Sequence, residues 1–222
     1  EASITSTDAA GNSASSTDTE SYSVAGVPSV SVNIVDASLN QADTTSSVTF
    51  TFSEAPVGFD ASDITVANGS LSGLTATANP LVWSATFTAT AGFEGTGSVS
   101  VNPSSYVNAA GNPGSGSTDT VAIDTKPPAP TITLDANITS DDIINIAETS
   151  LSIPVTGVVG GDAKVGDTVT LTVNGKTFTG LVLADKTFSI NVPGADLGAD
   201  SDKTVEASIT STDAAGNSAS ST

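Results

Sequence analysis

Hydrophobic and polar residues alternate along many short stretches of this chain. The clearest stretches are VSVNIV (30–35), SVTFTF (47–52), WSATFTA (83–89), PTITL (130–134), LSIPV (151–155), TVTLTV (168–173), TFSINV (187–192) and EASIT (206–210). Alternation of this kind is typical of half-buried antiparallel strands. Turn-forming pairs such as Asn68-Gly69 and Asn174-Gly175 lie between the stretches. No stretch shows the period of an amphipathic helix, so the pattern predicts an all-β chain.

The spacing of these stretches indicates the kind of β fold. About seven short strands per 100 residues, with few large side chains, are typical of an immunoglobulin-like β-sandwich with Greek-key connections. The chain has 222 residues, which is enough for two such domains. We therefore predict two tandem immunoglobulin-like β-sandwich domains with about seven strands each.

The sequence repeats itself. Residues 1–17, EASITSTDAAGNSASST, are identical to residues 206–222. The shorter string AAGN occurs three times, at 9–12, 109–112 and 214–217. Identity over this length predicts a tandem array, built from a unit that contains two different domains. Because Glu1 is not a natural start, we expect the sequence to begin inside a longer protein.

Two proline-containing segments mark the expected joints of the array. They are VAGVPSVSVNI (24–34) and DTKPPAPTITL (124–134), and proline makes such segments stiff and extended. We predict that residues 1–26 are the C-terminal strands of a preceding domain. The first complete domain is predicted over 27–124. The second is predicted over 125–222, cut before the end of its last strand.

Composition excludes several classes of function. Twenty-four carboxylates face five lysines, which gives a net charge of −19. This charge excludes nucleic acid as a partner, and no apolar stretch is long enough for direct membrane insertion. The chain has no His and no Cys, so the usual activated nucleophiles are missing, and every acidic cluster falls in a predicted loop. We predict that the chain is not an enzyme and has no catalytic residues.

Two longer stretches resemble known domains. FSEAPVGFDASDITVANGSLSGL (52–74), together with NAAGN (108–112), resembles one class of bacterial Ig-like domain. VTGVVGGDAKVGDTVTLTVNGKTFTG (155–180), together with TDAAGN (212–217), resembles another. Both classes occur in the extender regions of giant RTX and biofilm-type adhesins. The resemblance implies an extracellular position on a bacterial cell surface, reached by type I secretion. It also implies a structural spacer whose partners are neighbouring repeats, with the distal ligand bound by other domains.

Two alternative functions remain open. The first is an adhesin module that binds a glycan or a protein through Trp83, Tyr22 or Tyr106. Trp83 lies on an alternating strand, which favours a place in the core. The second is a filament that forms by strand addition, in which residues 18–24 of one copy complete a sandwich of another.

Calcium is the expected cofactor, because it binds oxygen ligands supplied by flexible loops. The strands of a seven-stranded sandwich are lettered A to G in chain order. The A–B and E–F loops lie at the end where the chain leaves the domain, and the B–C and F–G loops lie at the end where it enters. At the central joint this arrangement brings oxygen-bearing side chains from both domains and the linker together. The predicted ligands are Asp36, Asn40, Asp43, Asp124, Asp162, Asp213 and Asn217. Alternatively, the aspartate of DAAGN only holds its own hairpin through an Asx-turn.

The other joints are predicted to differ from the central one. The loop DANITSDDIINIAE of the second domain carries ligands for the next joint, namely Asp135, Asp141, Asp142 and Glu148. The joint at 20–30 has fewer charges, because Asn108 stands where the second domain has Asp213, and Ser23 stands where the second linker has Asp124. We expect that joint to bind calcium weakly or not at all.

Overall fold

Strands dominate a computed structural model of the chain, which describes all of residues 1–222. The first two strands, β1 (Ala2–Thr7) and β2 (Ser13–Asp18), form an antiparallel hairpin that pairs with no other strand. All of the hairpin's residues are exposed to solvent. No helix in the structure has the length and apolar character needed to cross a membrane.

Residues 30–124 form two facing sheets, which we call the first sandwich. Its strands are β3 (Val30–Ile34), β4 (Ser38–Asn40), β5 (Thr45–Phe52), β6 (Ile64–Ala67), β7 (Gly69–Ala76), β8 (Val82–Ala89), β9 (Glu94–Val101) and β10 (Ser117–Asp124). One sheet has the order β3-β5-β8-β7 and the other the order β4-β10-β9-β6. A 3-10 turn, Ala61–Asp63, precedes β6.

A cluster of 16 buried residues fills the first sandwich. The alternation along β5 places Val48, Phe50 and Phe52 inside, each no more than 2% exposed. Trp83 packs against this cluster, with its ring edge-on to Phe59 at 5.3 Å between centroids. Tyr106 is 1% exposed. Tyr106 therefore offers no aromatic face to a sugar, and Trp83 is half-buried against the core.

Residues 130–221 form a second pair of sheets, which we call the second sandwich. Its strands are β11 (Pro130–Leu134), β12 (Ser152–Gly161), β13 (Thr168–Val173), β14 (Lys176–Leu181), β15 (Thr187–Pro193), β16 (Glu206–Thr212) and β17 (Ser218–Ser221). The sheet orders are β11-β12-β15 and β14-β13-β16-β17. A 3-10 turn, Glu148–Ser150, and one helix, α1 (Gly194–Ala199), lie in its loops. A separate cluster of 13 buried residues forms its core.

The two sandwiches differ in two strands. Only the first has a short strand between its first two long ones, β4. In the first, β7 pairs with β8 and joins the sheet that contains β3. In the second, the corresponding strand, β14, pairs with β13 and joins the opposite sheet. This difference agrees with the two classes of domain expected from the sequence.

The predicted all-β sandwich fold is confirmed, with two local corrections. The short helix α1 was not expected, because six residues are too few to show a helical period. The segment DASLNQAD (36–43), which carries the predicted ligands Asp36, Asn40 and Asp43, was expected to be the A–B loop, but its residues 38–40 form β4, which pairs in parallel with β10. The limits of the domains at 26 and 124 remain a prediction.

Strand directions determine which loops meet between the sandwiches. The chain leaves the first sandwich at the end of β10, next to the β3–β5 connection and the β8–β9 loop at 90–93. It enters the second sandwich at β11, next to the β12–β13 loop at 162–167 and the β16–β17 turn at 213–217. The joint between the sandwiches therefore collects segments from both.

Candidate functional site

The β16–β17 turn is built around the side chain of Asp213. Its Oδ1 atom accepts hydrogen bonds from the main-chain N–H groups of Ala215 and Asn217, both at 2.9 Å. Gly216 adopts a positive φ of 88°, which closes the turn at little steric cost. This arrangement is the Asx-turn that the DAAGN string allowed as an alternative to a metal ligand.

The same turn occurs at all three copies of the AAGN string. In the first sandwich, Asn108 takes the place of aspartate and accepts from Ala110 N at 3.1 Å and Asn112 N at 2.9 Å. In the N-terminal hairpin, Asp8 accepts from Ala10 N and Asn12 N, both at 2.9 Å. Aspartate and asparagine therefore form the same turn here, and only the charge differs.

In both sandwiches the last residue of the string ties the turn to the linker that enters the sandwich. Asn217 Nδ2 donates to the carbonyl oxygen of Asp124 at 2.8 Å and to that of Lys126 at 3.4 Å. Asn112 Nδ2 donates to the carbonyl oxygens of Ala25 at 2.9 Å and Gly26 at 3.2 Å. Asn112 and Asn217 are thus linker-binding residues, a role that sequence analysis missed.

The first sandwich contacts this turn directly. Asn40 Nδ2 donates to Ala215 O at 2.7 Å, and the main-chain N–H of Gln41 donates to Asn217 Oδ1 at 2.8 Å. Asn217 is 2% exposed and thus bonds to both sandwiches and to the linker. The expected convergence of these segments at one joint is present.

Four carboxylates line a cleft of about 310 Å³ beside these hydrogen bonds. They belong to Glu94, Asp124, Asp162 and Asp213. Lys126 and Lys164 also line the cleft, so four negative charges face two positive ones. The Lys164 ammonium donates to Thr212 O at 2.7 Å.

Glu94 was not among the predicted ligands. It is the first residue of β9 and follows the β8–β9 loop, which the sequence had already assigned to the end where the chain leaves. Register explains its position, because Glu94 lies opposite Asp124 in the β9–β10 pair. An acidic residue at the start of a strand near that loop was the available signal.

Two predicted residues of the β3–β5 connection do not line the cleft. These are Asp36 and Asp43. The main-chain N–H of Asp36 donates to Ser46 Oγ at 3.0 Å, and that of Asp43 donates to Asn40 Oδ1 at 2.9 Å.

The predicted ligands of the next joint lie apart and hold local turns. Asp142 Oδ1 accepts from Ile138 N at 3.1 Å, and Glu148 Oε2 accepts from Asn145 N at 2.9 Å. The remaining contacts are Asp135 Oδ2 with Thr156 Oγ1 at 2.6 Å, and Asp141 Oδ1 with Ile143 N and Thr139 Oγ1, both at 3.2 Å. Nowhere in the chain do three acidic side chains approach closely enough to hold a metal ion as they stand.

The pKa of Asp213 is lowered from its ordinary value of 3.8. Desolvation raises this pKa, but hydrogen bonds from the Asn217 side chain and from main-chain N–H groups in the turn outweigh it. A group whose pKa is lower when folded contributes stability above its unfolded pKa. That stability is lost as the pH falls through the folded value.

We therefore expect the second sandwich to lose less stability on acidification from about pH 6 to pH 2 when Asp213 is replaced by asparagine. Asn108 shows that asparagine supports the same turn without titrating. Thermal melting across this pH range checks the expectation. Asp8→Asn, in the exposed hairpin, is the matched control and should not change the profile. An Asp213→Asn profile identical to that of the unsubstituted chain would contradict it.

The known proteins that this chain resembles are bacterial Ig-like domains and bacterial adhesins. A family model described as bacterial Ig-like domain matches residues 25–125. One similar solved structure is that of a 1.5-MDa bacterial ice-binding adhesin, described in connection with host cell surface retention. It is 32% identical to this chain with a TM-score of 0.63, and the match covers 98% of this chain and 70% of that one. A Ca²⁺-stabilized adhesin with which an Antarctic bacterium binds ice is 33% identical with a TM-score of 0.59, covering 99% of this chain and 54% of that one. No curated protein matches the chain.

The first of these structures is similar enough to this chain to identify its family. The first shares about a third of its residues with nearly the whole chain, which covers more than two thirds of that structure. The chain spans only about half of the second. The chain therefore belongs to the bacterial Ig-like domain family.

Proposed function

We propose that this chain is a spacer segment of a large bacterial cell-surface adhesin, stiffened by calcium bound between its two sandwiches. The observation that carries the proposal is the cleft lined by Glu94, Asp124, Asp162 and Asp213. Glu94 and Asp124 belong to the first sandwich, and Asp162 and Asp213 belong to the second. An ion bound among them would therefore connect the two sandwiches.

The donor chemistry of the cleft fits calcium. Calcium takes six to eight oxygen ligands, among them carboxylates and main-chain carbonyls, in flexible geometry. Glu94 and Asp162 are exposed, whereas Asp124 and Asp213 are half-buried. Because no three acidic groups already lie within reach of one ion, binding requires the exposed pair to turn toward the half-buried pair.

Asn40 and Asn217 are left out of the proposed ligand set. The Oδ1 atom of Asn40 accepts from Ala42 N and Asp43 N, both at 2.9 Å. The Oδ1 atom of Asn217 accepts from Gln41 N. These amides hold the joint by direct hydrogen bonds, and calcium would add charge neutralisation to a joint that they have already aligned.

Charge explains why an ion would stiffen this joint. The chain carries a net charge of −19, so neighbouring sandwiches repel each other at short range. Four carboxylates and two ammonium groups in the cleft leave two negative charges, which one calcium ion would neutralise. One relative is described as a Ca²⁺-stabilized adhesin, which supports the choice of ion.

The repeat supports the spacer role. Residues 1–17 and 206–222 are identical, whereas a ligand-binding module gains from loops that vary. Trp83 packs against the core, and Tyr106 is buried, so aromatic surface for a glycan is scarce. In this proposal the chain lies outside the cell, and other domains of the parent protein bind the distal ligand.

Calcium should stabilise the second sandwich. Extracellular modules bind calcium with a dissociation constant of about 10⁻⁴–10⁻³ M. At about 10 mM calcium, one such site adds roughly 1.4–2.7 kcal/mol to the free energy of unfolding. That gain corresponds to a rise in melting temperature of about 5 °C or more for a domain of this size. Differential scanning calorimetry in calcium and in chelator measures this rise.

Substitutions of the cleft carboxylates test whether the ion binds in the cleft. Asp213→Asn keeps the turn and removes one charge from the cleft, and Glu94→Gln removes another. Each should lower the calcium-dependent rise by at least half. Asp8→Asn removes the same charge from the exposed hairpin and should leave the rise intact. The proposal fails if calcium does not change the melting temperature, or if Asp8→Asn reduces the rise as much as Asp213→Asn does.

A further inference from the structure

A second cavity lies at the end of the second sandwich where the chain leaves it. Its volume is about 410 Å³, and its apolar walls are Ile138, Ile143, Ile144, Leu197 and Val205. These residues come from the β11–β12 connection and from the segment around α1. Ile143 is 62% exposed at its rim. An open apolar cavity at the end of a domain marks a contact surface.

In an array of this repeat, the sequence after residue 17 would follow the last hairpin of this sandwich. In the N-terminal copy, Ile4 pairs with Ser16, and in the second sandwich the equivalent Ile209 pairs with Ser221. The two hairpins therefore have the same sequence and the same register. The N-terminal copy continues past the shared sequence with Asp18, which pairs with Ala2.

This register can be transferred to the second sandwich. Asp18 of a following copy would lie opposite Ala207, and Thr19 would lie opposite Glu206. A cleft of about 370 Å³ is open at that edge of β16, lined by Glu206, Ala207 and Ser208 among others. The strand therefore has room to continue there.

Extending the same register by a few residues beyond Thr19 brings the segment to the apolar cavity. Continued antiparallel pairing places Glu20 opposite Val205, which lines the cavity. Lys203 has a positive φ of 57°, so regular pairing ends before it, and Tyr22 follows the paired residues at the side of the cavity that Lys203 lines. The first sandwich has a precedent for such continuation past the strand. Thr125, the residue after β10, donates its main-chain N–H to Phe93 O at 2.8 Å and is 3% exposed.

We infer that the segment Glu20–Gly26, where it follows this hairpin in the array, docks into the apolar cavity of the second sandwich and that the Tyr22 ring fills it. Tyr22 and Val24 are 89% and 86% exposed in the N-terminal copy, whose hairpin pairs with no other strand. Glu20 brings a carboxylate to the cavity, which Lys203 lines together with Asp142 and Asp200. The other end of the segment is held by Asn112 through Ala25 O and Gly26 O.

The two kinds of joint in the array would then differ in chemistry. The joint after the first sandwich is polar and acidic, with carboxylates around its cleft. The joint after the second sandwich has five apolar side chains around its cavity, with Asp142, Asp200 and Lys203 beside them, and a tyrosine anchors it. Docking of Tyr22 uses these apolar side chains, so this inference does not depend on the proposed calcium site.

The test appends residues 18–26 to the C-terminus of the full chain. Amide hydrogen exchange is measured in chelator at Gly198 and at residues 203–205. Docking should slow exchange at these amides at least tenfold relative to the chain without the appended segment. Tyr22→Ser in the appended copy should abolish this protection but leave that of residues 206–208, because Asp18 and Thr19 still extend the strand.

The N-terminal copy supplies the matched control. Tyr22→Ser at the N-terminus changes the same residue away from the cavity and should leave the protection intact. The inference is overturned if the appended segment leaves exchange at 203–205 unchanged, or if the protection survives Tyr22→Ser in the appended copy. It is also overturned if the N-terminal substitution alone removes the protection, because the occupant would then be a second molecule.

Discussion

Replacing Asn217 with alanine is expected to destabilise the second sandwich by about 2–4 kcal/mol, because buried groups that lose their hydrogen-bond partner cost roughly 1–3 kcal/mol each. The Gln41 N–H loses its acceptor, and the Asp124 carbonyl loses a donor at 2.8 Å. Asp213 Oδ2 also loses the Asn217 amide as a donor at 2.9 Å. Urea denaturation followed by circular dichroism measures the change.

Asn12→Ala is the control for this substitution. Asn12 ends the same AAGN string, and its Nδ2 donates to Asp8 Oδ2 at 3.0 Å, but its hairpin is exposed. We expect its loss to change the free energy of unfolding of either sandwich by no more than about 0.5 kcal/mol. Equal effects of the two substitutions would mean that the contacts across the joint contribute nothing to stability.

Phe87→Ala is expected to cost the first sandwich about 3–5 kcal/mol, the usual range for truncating a buried phenylalanine. Phe87 is 0% exposed in the cluster of 16 buried residues. The second sandwich has its own buried cluster, so its unfolding midpoint should fall by no more than the contribution of the contacts across the joint. Trp83 is the single tryptophan of the chain and packs in the first sandwich, so its fluorescence reports on that unit alone.

Phe188→Ala is the reciprocal variant. Phe188 is 1% exposed in the core of the second sandwich, so its truncation should leave the Trp83 transition unchanged and lower the stability of the other unit. Together the pair tests the proposed division near residue 124. A Trp83 transition that shifts in both variants by similar amounts would show that the chain unfolds as one unit.

Strands with large apolar residues could be predicted from the sequence, and small-residue strands could not. TVTLTV was predicted at 168–173, and β13 has the same limits. By contrast, β7 (GSLSGLTA) and β9 (EGTGSVSV) consist mostly of glycine, serine and threonine, so their alternation shows little hydrophobic contrast. Their pairing depends on neighbouring strands that a local pattern does not report.

The sequence predicted which segments meet at the joint better than it predicted which side chains there could bind an ion. Sandwich topology sufficed to expect that the β3–β5 connection, the linker and the DAAGN turn would meet. The sequence could not tell whether Asn40 and Asn217 present oxygen to an ion or to main-chain N–H groups, because an amide serves both purposes. It also missed Glu94, whose place beside Asp124 follows from the register of β9 and β10.

The most direct test of the central claim measures how freely the two sandwiches move relative to each other. The chain has no cysteine, so spin labels can be attached at Ser72→Cys in the first sandwich and at Thr179→Cys in the second, both exposed positions. Double electron–electron resonance then gives the distribution of the distance between the labels. We predict a broad distribution in chelator that narrows in calcium, and no narrowing with Asp213→Asn. Distributions of the same width with and without calcium would contradict a calcium-stiffened joint.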